Sequence, residues 1–255
     1  MPVNREGLPD PELYRKTLDS ETILTIMMLA NNETGVIQPV QEFTKIAQEN
    51  GSLFFCDATQ CPGKMQVDVN ELGVDLLCLS AHKMYGPKGT GALFVRRKNP
   101  RVTLIPLIDG GGHEMGLRSG TLNVPGIVGM AKASELAMDR YWEDTSRISS
   151  LRTLLEQLLT TNGRGYVNGA IKNRLPNTTN IFFPGLKAGN LLTKIPRLAV
   201  ATGSACSSAL PEPSHVLKAM GLSENEAFAA IRFSLGRETS EMEITEAAKL
   251  ILQQL

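Results

Sequence analysis

Ser80, His82 and Lys83 lie within four residues of one another in the stretch LSAHKMYGPKG (residues 79–89), directly after a hydrophobic run. Desolvation at a buried strand end, together with a neighbouring positive charge, can keep such a lysine amine partly deprotonated. A neutral amine can form a Schiff base with a carbonyl group. The alternative is that Lys83 and His82 only occupy a polar loop.

Asp57 ends another short apolar run, SLFFCDATQ (residues 52–60). A pyridoxal phosphate ring requires a carboxylate against its pyridine nitrogen, because the protonated ring is the better electron sink. Ser80, His82 and the glycine-rich turns offer hydrogen-bond donors for a phosphate group. A pyridoxal phosphate site therefore explains these residues as well as a polar loop does.

The order of predicted strands and helices around these residues is that of an α/β domain. Strands are predicted for four apolar runs, ETILTIMMLA (21–30), SLFFCDATQ, VDLLCLSAHK (74–83) and GALFVRR (91–97). A helix is predicted for PVQEFTKIAQENG (39–51), whose apolar residues have helical spacing. This order predicts a mostly parallel sheet, in which ligands lie beyond the carboxyl ends of the strands. We expect Asn31–Asn32, Asp57–Gln60 and Ser80–Lys83 to converge on one crevice there.

The order of predicted elements changes after the glycine-rich segment 109–126. Long helices are predicted for residues 127–144 and 145–161, strands for NTTNIFF (177–183) and RLAVATGSA (197–205), and a final helix for 240–255. Ser240 and Glu243 have the spacing of a capping box at the start of that helix. We predict a large domain over residues 1–140 and a smaller α+β domain over residues 141–255.

Charge balance and cysteine spacing argue against several kinds of partner and site. Lys+Arg and Asp+Glu both number 26, so a balanced charge gives no reason to expect nucleic acid or an anionic membrane. The spacing of the cysteines fits neither a disulfide framework nor a permanent metal site; they are Cys56, Cys61, Cys78 and Cys206. We expect a cytoplasmic globular protein without a bound metal, and inert core thiols at Cys56 and Cys78.

Several stretches together resemble the cysteine desulfurases of the NifS/IscS type. They are MLANNETGVIQPV, CDATQCPGK, SAHKMYGPKGTGALFVRR, GGGHEMGLRSGTLNVPGIVGM, ATGSACSSALPEPSHVLKAMGL and IRFSLGR. The family consists of fold-type I pyridoxal-phosphate enzymes that convert L-cysteine to L-alanine and pass the sulfur to a protein persulfide for iron–sulfur cluster or thio-cofactor assembly. The resemblance implies an incomplete fold-type I large domain, with a mostly parallel sheet, and a smaller α+β C-terminal domain.

The resemblance also implies roles for individual residues. Lys83 matches the Schiff-base lysine, and Cys206 matches the nucleophile that takes the sulfur and could transiently bind an iron–sulfur cluster. Cofactor contacts are implied for Asn32, Asp57 (pyridine nitrogen), Gln60 (ring hydroxyl), Ser80, Ala81 and His82 (phosphate side), and Thr121 (phosphate of the partner subunit). Asn32 and Arg232 match the groups that hold the substrate carboxylate, and the guanidinium fork suits that task.

The family's opening segment, which carries further phosphate ligands and a histidine stacked on the cofactor, has no counterpart in this sequence. We therefore expect an N-terminally truncated chain, in a homodimer or in a complex with a complementary N-terminal chain, and a sulfur-acceptor or scaffold protein as a further partner. Two hypotheses stay open. The chain works as a desulfurase, or it is a catalytically impaired remnant that acts as the binding partner of another chain.

Overall fold

The computed structural model describes residues 1–186, 188–202 and 212–255. The chain divides into two compact units, which we name by their sheets. The four-strand unit comprises residues 18–28 and 40–140, and the three-strand unit comprises residues 1–17, 29–39 and 141–255.

The predicted domains, 1–140 and 141–255, differ from these units in the placement of residues 1–17 and 29–39, and they stay a prediction. Backbone hydrogen bonds explain the difference. Ile37 N donates to the Asn173 carbonyl and Leu175 N donates to the Gly35 carbonyl, at 2.9 and 2.8 Å. Residues 29–39 therefore associate with the C-terminal part of the chain.

The strands, in chain order, are β1 (Leu24–Met28), β2 (Leu53–Asp57), β3 (Leu76–Ser80), β4 (Gly91–Val95), β5 (Tyr166–Val167), β6 (Thr178–Phe182) and β7 (Ala230–Ser234). The helices are α1 (Pro11–Thr17), α2 (Val40–Glu49), α3 (Val69–Leu72), α4 (Val124–Asp139), α5 (Tyr141–Thr160), α6 (Ala188–Lys194), α7 (His215–Ala219), α8 (Glu224–Phe228) and α9 (Glu241–Leu252). Turns of 3₁₀ helix cover Ala81–Met84, Glu114–Gly116 and Thr161–Gly163.

The sheet of the four-strand unit has the order β1-β2-β3-β4. Strands β1, β2 and β3 are parallel, and β4 runs antiparallel to β3. Helix α2 buries an apolar stripe that includes Val40, Phe43 and Ile46, the period expected of a helix that covers a sheet. The predicted α/β class with a mostly parallel sheet is confirmed.

The three-strand unit has an antiparallel sheet in the order β5-β6-β7. Helices α5 and α9 contribute apolar residues to one core with this sheet, in which Leu159, Ile181, Phe183, Ile231 and Ile251 are fully buried. Such a core is the main source of stability for a small α+β layer.

Two predictions for the three-strand unit have opposite outcomes. The capping box is confirmed, because Ser240 Oγ accepts a hydrogen bond from Glu243 N while the Glu243 carboxylate accepts one from Ser240 N. The predicted strand over 197–205 is wrong for residues 197–202. Residues 196 and 197 form a turn, and Ala201 alone pairs with β7, in an isolated bridge to Arg232. Residues 203–205 lie outside the described residues.

None of the helices in the described ranges is long and apolar enough to cross a membrane.

Candidate active site

The turns after β2 and β3 lie at the same edge of the four-strand sheet. Asp57, the last residue of β2, is paired with Cys78 of β3, and Ala58 N donates to the Cys78 carbonyl at 3.0 Å. Both strands run in the same direction, so the residues after them emerge together. The structure thus brings together two of the three polar stretches that are predicted to meet, Asp57–Gln60 and Ser80–Lys83.

Asp57 is held in an exposed position by its own turn. Its Oδ1 accepts a hydrogen bond from Thr59 N at 2.9 Å, which fixes the carboxylate as in an Asx-turn. Cys78 lies beside it, and burial followed by the Asp57 charge raises the pKa of the Cys78 thiol. The site therefore presents a carboxylate next to a protonated thiol.

Lys83 lies in the 3₁₀ turn after β3. Ala81 and Met84 of this turn are buried, whereas His82 is exposed and Lys83 is half-buried. Ala81 N donates to the Thr90 carbonyl at 3.0 Å, and Gly86 N donates to the Ala81 carbonyl at 2.9 Å. The side chains of His82 and Lys83 therefore lie outside the core, while the main chain of the turn is hydrogen-bonded to Thr90, the residue before β4.

Gly86 is required by this close packing. A Cβ atom at position 86 would lie 2.9 Å from the Ala81 carbonyl oxygen and 3.1 Å from Ala133 Cβ. The residue before it, Tyr85, ends the turn in the left-handed region with φ 66°. The stretch MYG thus closes the loop tightly behind Lys83.

Ser80 and His82 form a polar pair at the start of this turn, with Ser80 Oγ and His82 Nδ1 separated by 2.7 Å. Ala81 N–H is already donated to the Thr90 carbonyl, so an anion at this turn can instead use the hydroxyl and imidazole groups of Ser80 and His82. With the amine of Lys83, the carboxylate of Asp57 and the amide of Gln60, this edge holds an amine for the aldehyde, a carboxylate for the ring nitrogen and polar side chains for the phosphate of pyridoxal phosphate. The residues present therefore fit that cofactor.

Lys64 also belongs to this edge, although no sequence pattern indicates a role for it. Its ammonium Nζ donates to the Gln60 carbonyl at 3.0 Å and to the Lys83 carbonyl at 2.9 Å. Burial, and secondarily the charge of Lys83, lowers the pKa of Lys64 from 10.5 to about 8, against an opposing effect of Cys61. Lys64 and Lys83 are 19 residues apart, and residue types alone do not predict a contact from a side chain to a distant carbonyl group.

Asn32 and Arg232 come together in the three-strand unit. Arg232, on β7, donates from Nη1 to the Asn32 carbonyl at 3.3 Å. The turn that holds Asn32 is shaped by Asn31, whose Oδ1 accepts from Glu33 N and Thr34 N, each at 2.9 Å. The two residues matched to the substrate carboxylate are therefore neighbours, and their convergence with Asp57–Gln60 stays a prediction.

Thr121 is exposed in a loop directly after Gly120. Gly120 N donates to His113 Nδ1 at 3.3 Å, and Gly112 N donates to Ser119 Oγ at 3.2 Å. These bonds join the GGGH and RSGT stretches into one loop and define where Thr121 stands. Cys206, the predicted nucleophile, lies outside the described residues.

Two further cysteines, Cys56 and Cys61, lie in the core. Cys56 and Cys61 are fully buried, and burial raises the pKa of the Cys56 thiol to about 12 and raises that of Cys61 as well. Thiols that stay protonated are poor nucleophiles, as expected of core cysteines. Within the described parts of the chain, no group of three or more His, Cys, Asp or Glu residues could hold a metal ion.

The chain is similar to known proteins over nearly its whole length. The Aminotransferase class-V family matches residues 1–246. The cysteine desulfurase IscS of Anaeromyxobacter sp. (strain Fw109-5) is 48% identical over 260 residues, which is 99% of this chain and 63% of that protein. The chain therefore spans less than two thirds of the length of this curated relative.

Two solved structures are similar in fold over nearly the whole chain. A NifS-like protein from Rickettsia africae ESF-5 superposes with a TM-score of 0.88 and 32% identity, over 99% of this chain and 68% of that one. SspA in complex with cysteine superposes with a TM-score of 0.77 and 32% identity, over 94% of this chain and 66% of that one. Both similarities thus extend across the four-strand and the three-strand unit.

Proposed function

The chain belongs to the cysteine desulfurase family of class-V aminotransferases, and from that premise we propose that it converts L-cysteine to L-alanine and transfers the sulfur to Cys206. The observation that carries the proposal is the sheet edge at which Lys83, Asp57 and the Ser80–His82 pair lie together. The reaction balances: the Cβ–S bond of the substrate breaks, its sulfur forms an S–S bond with Cys206, and Cβ takes up the proton that the Cys206 thiol gives up, which leaves the methyl group of alanine and a persulfide on Cys206.

Pyridoxal phosphate, when bound, supplies an aldehyde for amines and a ring that accepts the electron pair left on Cα. Lys83 would hold that aldehyde carbon through its amine. Asp57, oriented by Thr59 N, would keep a proton on the ring nitrogen. Gln60 would donate to the ring hydroxyl, and Ser80 and His82 would bind the phosphate.

Substrate binding is assigned to Asn32 and Arg232. A guanidinium group can bind a carboxylate with two parallel hydrogen bonds, which fixes the orientation of the amino acid as well as its position. Arg232 is anchored in β7 opposite Asn180 of β6. A charged group on a paired strand keeps the substrate carboxylate at a fixed place while Cys206 takes the sulfur.

Assembly and sulfur delivery complete the proposal. Thr121 would contact the phosphate in a partner subunit, either in a homodimer or in a complex with a complementary N-terminal chain. Exposed apolar residues of the four-strand unit support an assembly, among them Ile26 (67% exposed) and Leu107 (98% exposed). A sulfur acceptor or scaffold for iron–sulfur or thio-cofactor synthesis would receive the persulfide in the cytoplasm. The relatives do not favour the alternative of an impaired binding partner.

The test is the absorbance spectrum of the chain after incubation with pyridoxal phosphate and removal of unbound cofactor by gel filtration, wild type beside Lys83→Ala. We expect a band at about 390–420 nm that changes on addition of L-cysteine and is absent from the variant. Lys45→Ala, which replaces an exposed lysine on α2, is the matched control and should keep the band. Sulfide release should then be lost in Cys206→Ser. A band of equal intensity in Lys83→Ala would refute the assignment of Lys83.

A further inference from the structure

Lys64 connects the two turns that carry the proposed cofactor contacts. One of its acceptors, the Gln60 carbonyl, belongs to the turn after β2, and the other, the Lys83 carbonyl, belongs to the 3₁₀ turn after β3. Asp57 and Gln60 lie on the first turn, and Ser80, His82 and Lys83 lie at the second. One ammonium group therefore spans both halves of the proposed cofactor site.

The Lys83 carbonyl needs such a partner. The last carbonyl groups of a helical turn accept no hydrogen bond within the turn and must be satisfied from outside. Tyr85 N and Gly86 N both donate to the Ala81 carbonyl, so neither of them serves Lys83. A lysine ammonium near the end of a helix is a suitable donor, and its charge shortens and strengthens the hydrogen bonds.

Lys64 is half-buried where it makes these two hydrogen bonds. Burial lowers the pKa of its ammonium group from 10.5 to about 8, while Cys61 acts in the opposite direction and Lys83 lowers it further. At neutral pH the group is therefore still mainly charged, and both carbonyls accept from a charged donor.

We propose that Lys64 is a positioning residue for Lys83: its ammonium group fixes the Lys83 main chain to the Gln60 main chain and so holds the two turns of the proposed cofactor site in place. This inference rests on the function proposed above. It adds to that function a residue that touches neither cofactor nor substrate. A displacement of about 1 Å between a reactive group and its partners is enough to reduce reactivity strongly.

The first experiment needs no cofactor. Hydrogen–deuterium exchange with mass spectrometry reports how often the main chain opens in peptides that cover residues 58–64 and 80–86, with a peptide from α2 as the reference. The variants are Lys64→Met and Lys64→Gln, which remove the ammonium group, and Lys64→Arg, which keeps a charged donor. We expect exchange in both turns to become about fivefold faster or more in the first two variants, and to stay near the wild-type rate in Lys64→Arg.

This pattern separates the hydrogen bonds of Lys64 from its bulk, because a loss of packing would not be rescued by a guanidinium group of different shape. Equal exchange rates in wild type, Lys64→Met and Lys64→Gln would overturn the proposal, and so would a Lys64→Arg rate that coincides with that of Lys64→Met. Circular dichroism checks folding. If Lys64→Met does not fold, Lys64→Gln and Lys64→Arg decide the question.

The second experiment uses pyridoxal phosphate and borohydride reduction, with mass spectrometry to quantify the pyridoxyl group on Lys83. We expect Lys64→Met to lower the amount trapped at limiting cofactor by about tenfold, and Lys64→Arg to restore it. Equal trapping in wild type and Lys64→Met would contradict the positioning role. If the wild-type chain traps no cofactor, the proposed function fails, and the hydrogen-exchange rates still decide the role of Lys64.

Discussion

The two units of the chain use their polar side chains in opposite ways. In the three-strand unit, the guanidinium of Arg174 is almost inaccessible and donates to Glu156, to Thr179 and to the carbonyls of three neighbouring residues. In the four-strand unit, Asp57 and His82 are exposed at the ends of strands, where Asp57 accepts from Thr59 N and His82 Nδ1 contacts Ser80 Oγ. Internal hydrogen bonds thus surround the Arg174 guanidinium, whereas Asp57 and His82 stay accessible.

Apolar residues show the same contrast. The three-strand unit buries one continuous core between its sheet and its long helices. The four-strand unit leaves alternate residues of β1 exposed, with Ile26 at 67%. We therefore expect substitutions in the three-strand unit to change mainly the free energy of unfolding, and substitutions at the sheet edge of the four-strand unit to change mainly turnover.

The strongest challenge to this contrast is Phe183→Ala in the core of the three-strand unit. Phe183 is fully buried among residues of the sheet and helices, so its truncation removes apolar contacts and leaves a cavity. We expect the free energy of unfolding to fall by about 3–5 kcal/mol, measured by urea denaturation. Leu107→Ala, at a side chain 98% exposed in the four-strand unit, is the control and should change stability by less than about 0.5 kcal/mol. Similar losses in both variants would remove the contrast in packing.

Ser214→Ala tests the contrast in polar groups. Ser214 Oγ donates to the Glu33 carboxylate at 2.6 Å and accepts from Leu217 N at the start of α7. Glu33 is 1% exposed, so the substitution takes a donor from a buried carboxylate and should cost about 1–3 kcal/mol in urea denaturation. Ser223→Ala, at the exposed cap of α8, removes a similar cap without a buried partner and should cost less. An equal cost would show that burial of Glu33 adds nothing.

Much of the four-strand unit can be predicted from its sequence, because short apolar runs that end in polar residues report both the strands and the polar turns after them. Asp57 and Lys83 are found in that way, at the ends of β2 and β3. The three-strand unit is harder to predict. Residues 29–39 associate with it through hydrogen bonds to residues 173–175, and a contact between segments so far apart leaves no local pattern.

The candidate site shows the same limit. Side chains that must face a ligand occur at predictable places, but the groups that hold them in place do not. Lys64 reaches its acceptors through main-chain carbonyls, which every residue possesses, so its role has no signature of residue type or spacing. The apolar composition of residues 197–202 predicts a strand, yet a turn at residues 196 and 197 limits this segment to one bridge.

Lys64 tests the contrast by pH, since it is a half-buried charge at the sheet edge where Asp57 and His82 are exposed. Its pKa is about 8 in the folded chain and 10.5 when unperturbed. Between these values the unfolded chain binds more protons than the folded chain, so stability rises with pH in this window. We expect the stability of wild type relative to Lys64→Met to rise by about 1–2 kcal/mol from pH 8 to pH 10.5. Lys45→Met provides the reference for an exposed lysine, and a flat difference would contradict the burial of the Lys64 charge.

Asp57→Asn has the smallest expected effect on stability. It separates the role of this sheet edge in chemistry from a role in folding. The amide introduced at this position keeps the Oδ1 acceptor for Thr59 N, and the side chain is exposed, so the free energy of unfolding should change by less than about 0.5 kcal/mol. Sulfide release should nevertheless fall by at least about tenfold, because an amide cannot hold a proton on the cofactor ring as a carboxylate does. Urea denaturation and turnover of the same preparation measure both. A variant that loses stability as Ser214→Ala does, while it keeps its turnover, would mean that this sheet edge serves the fold and not the chemistry.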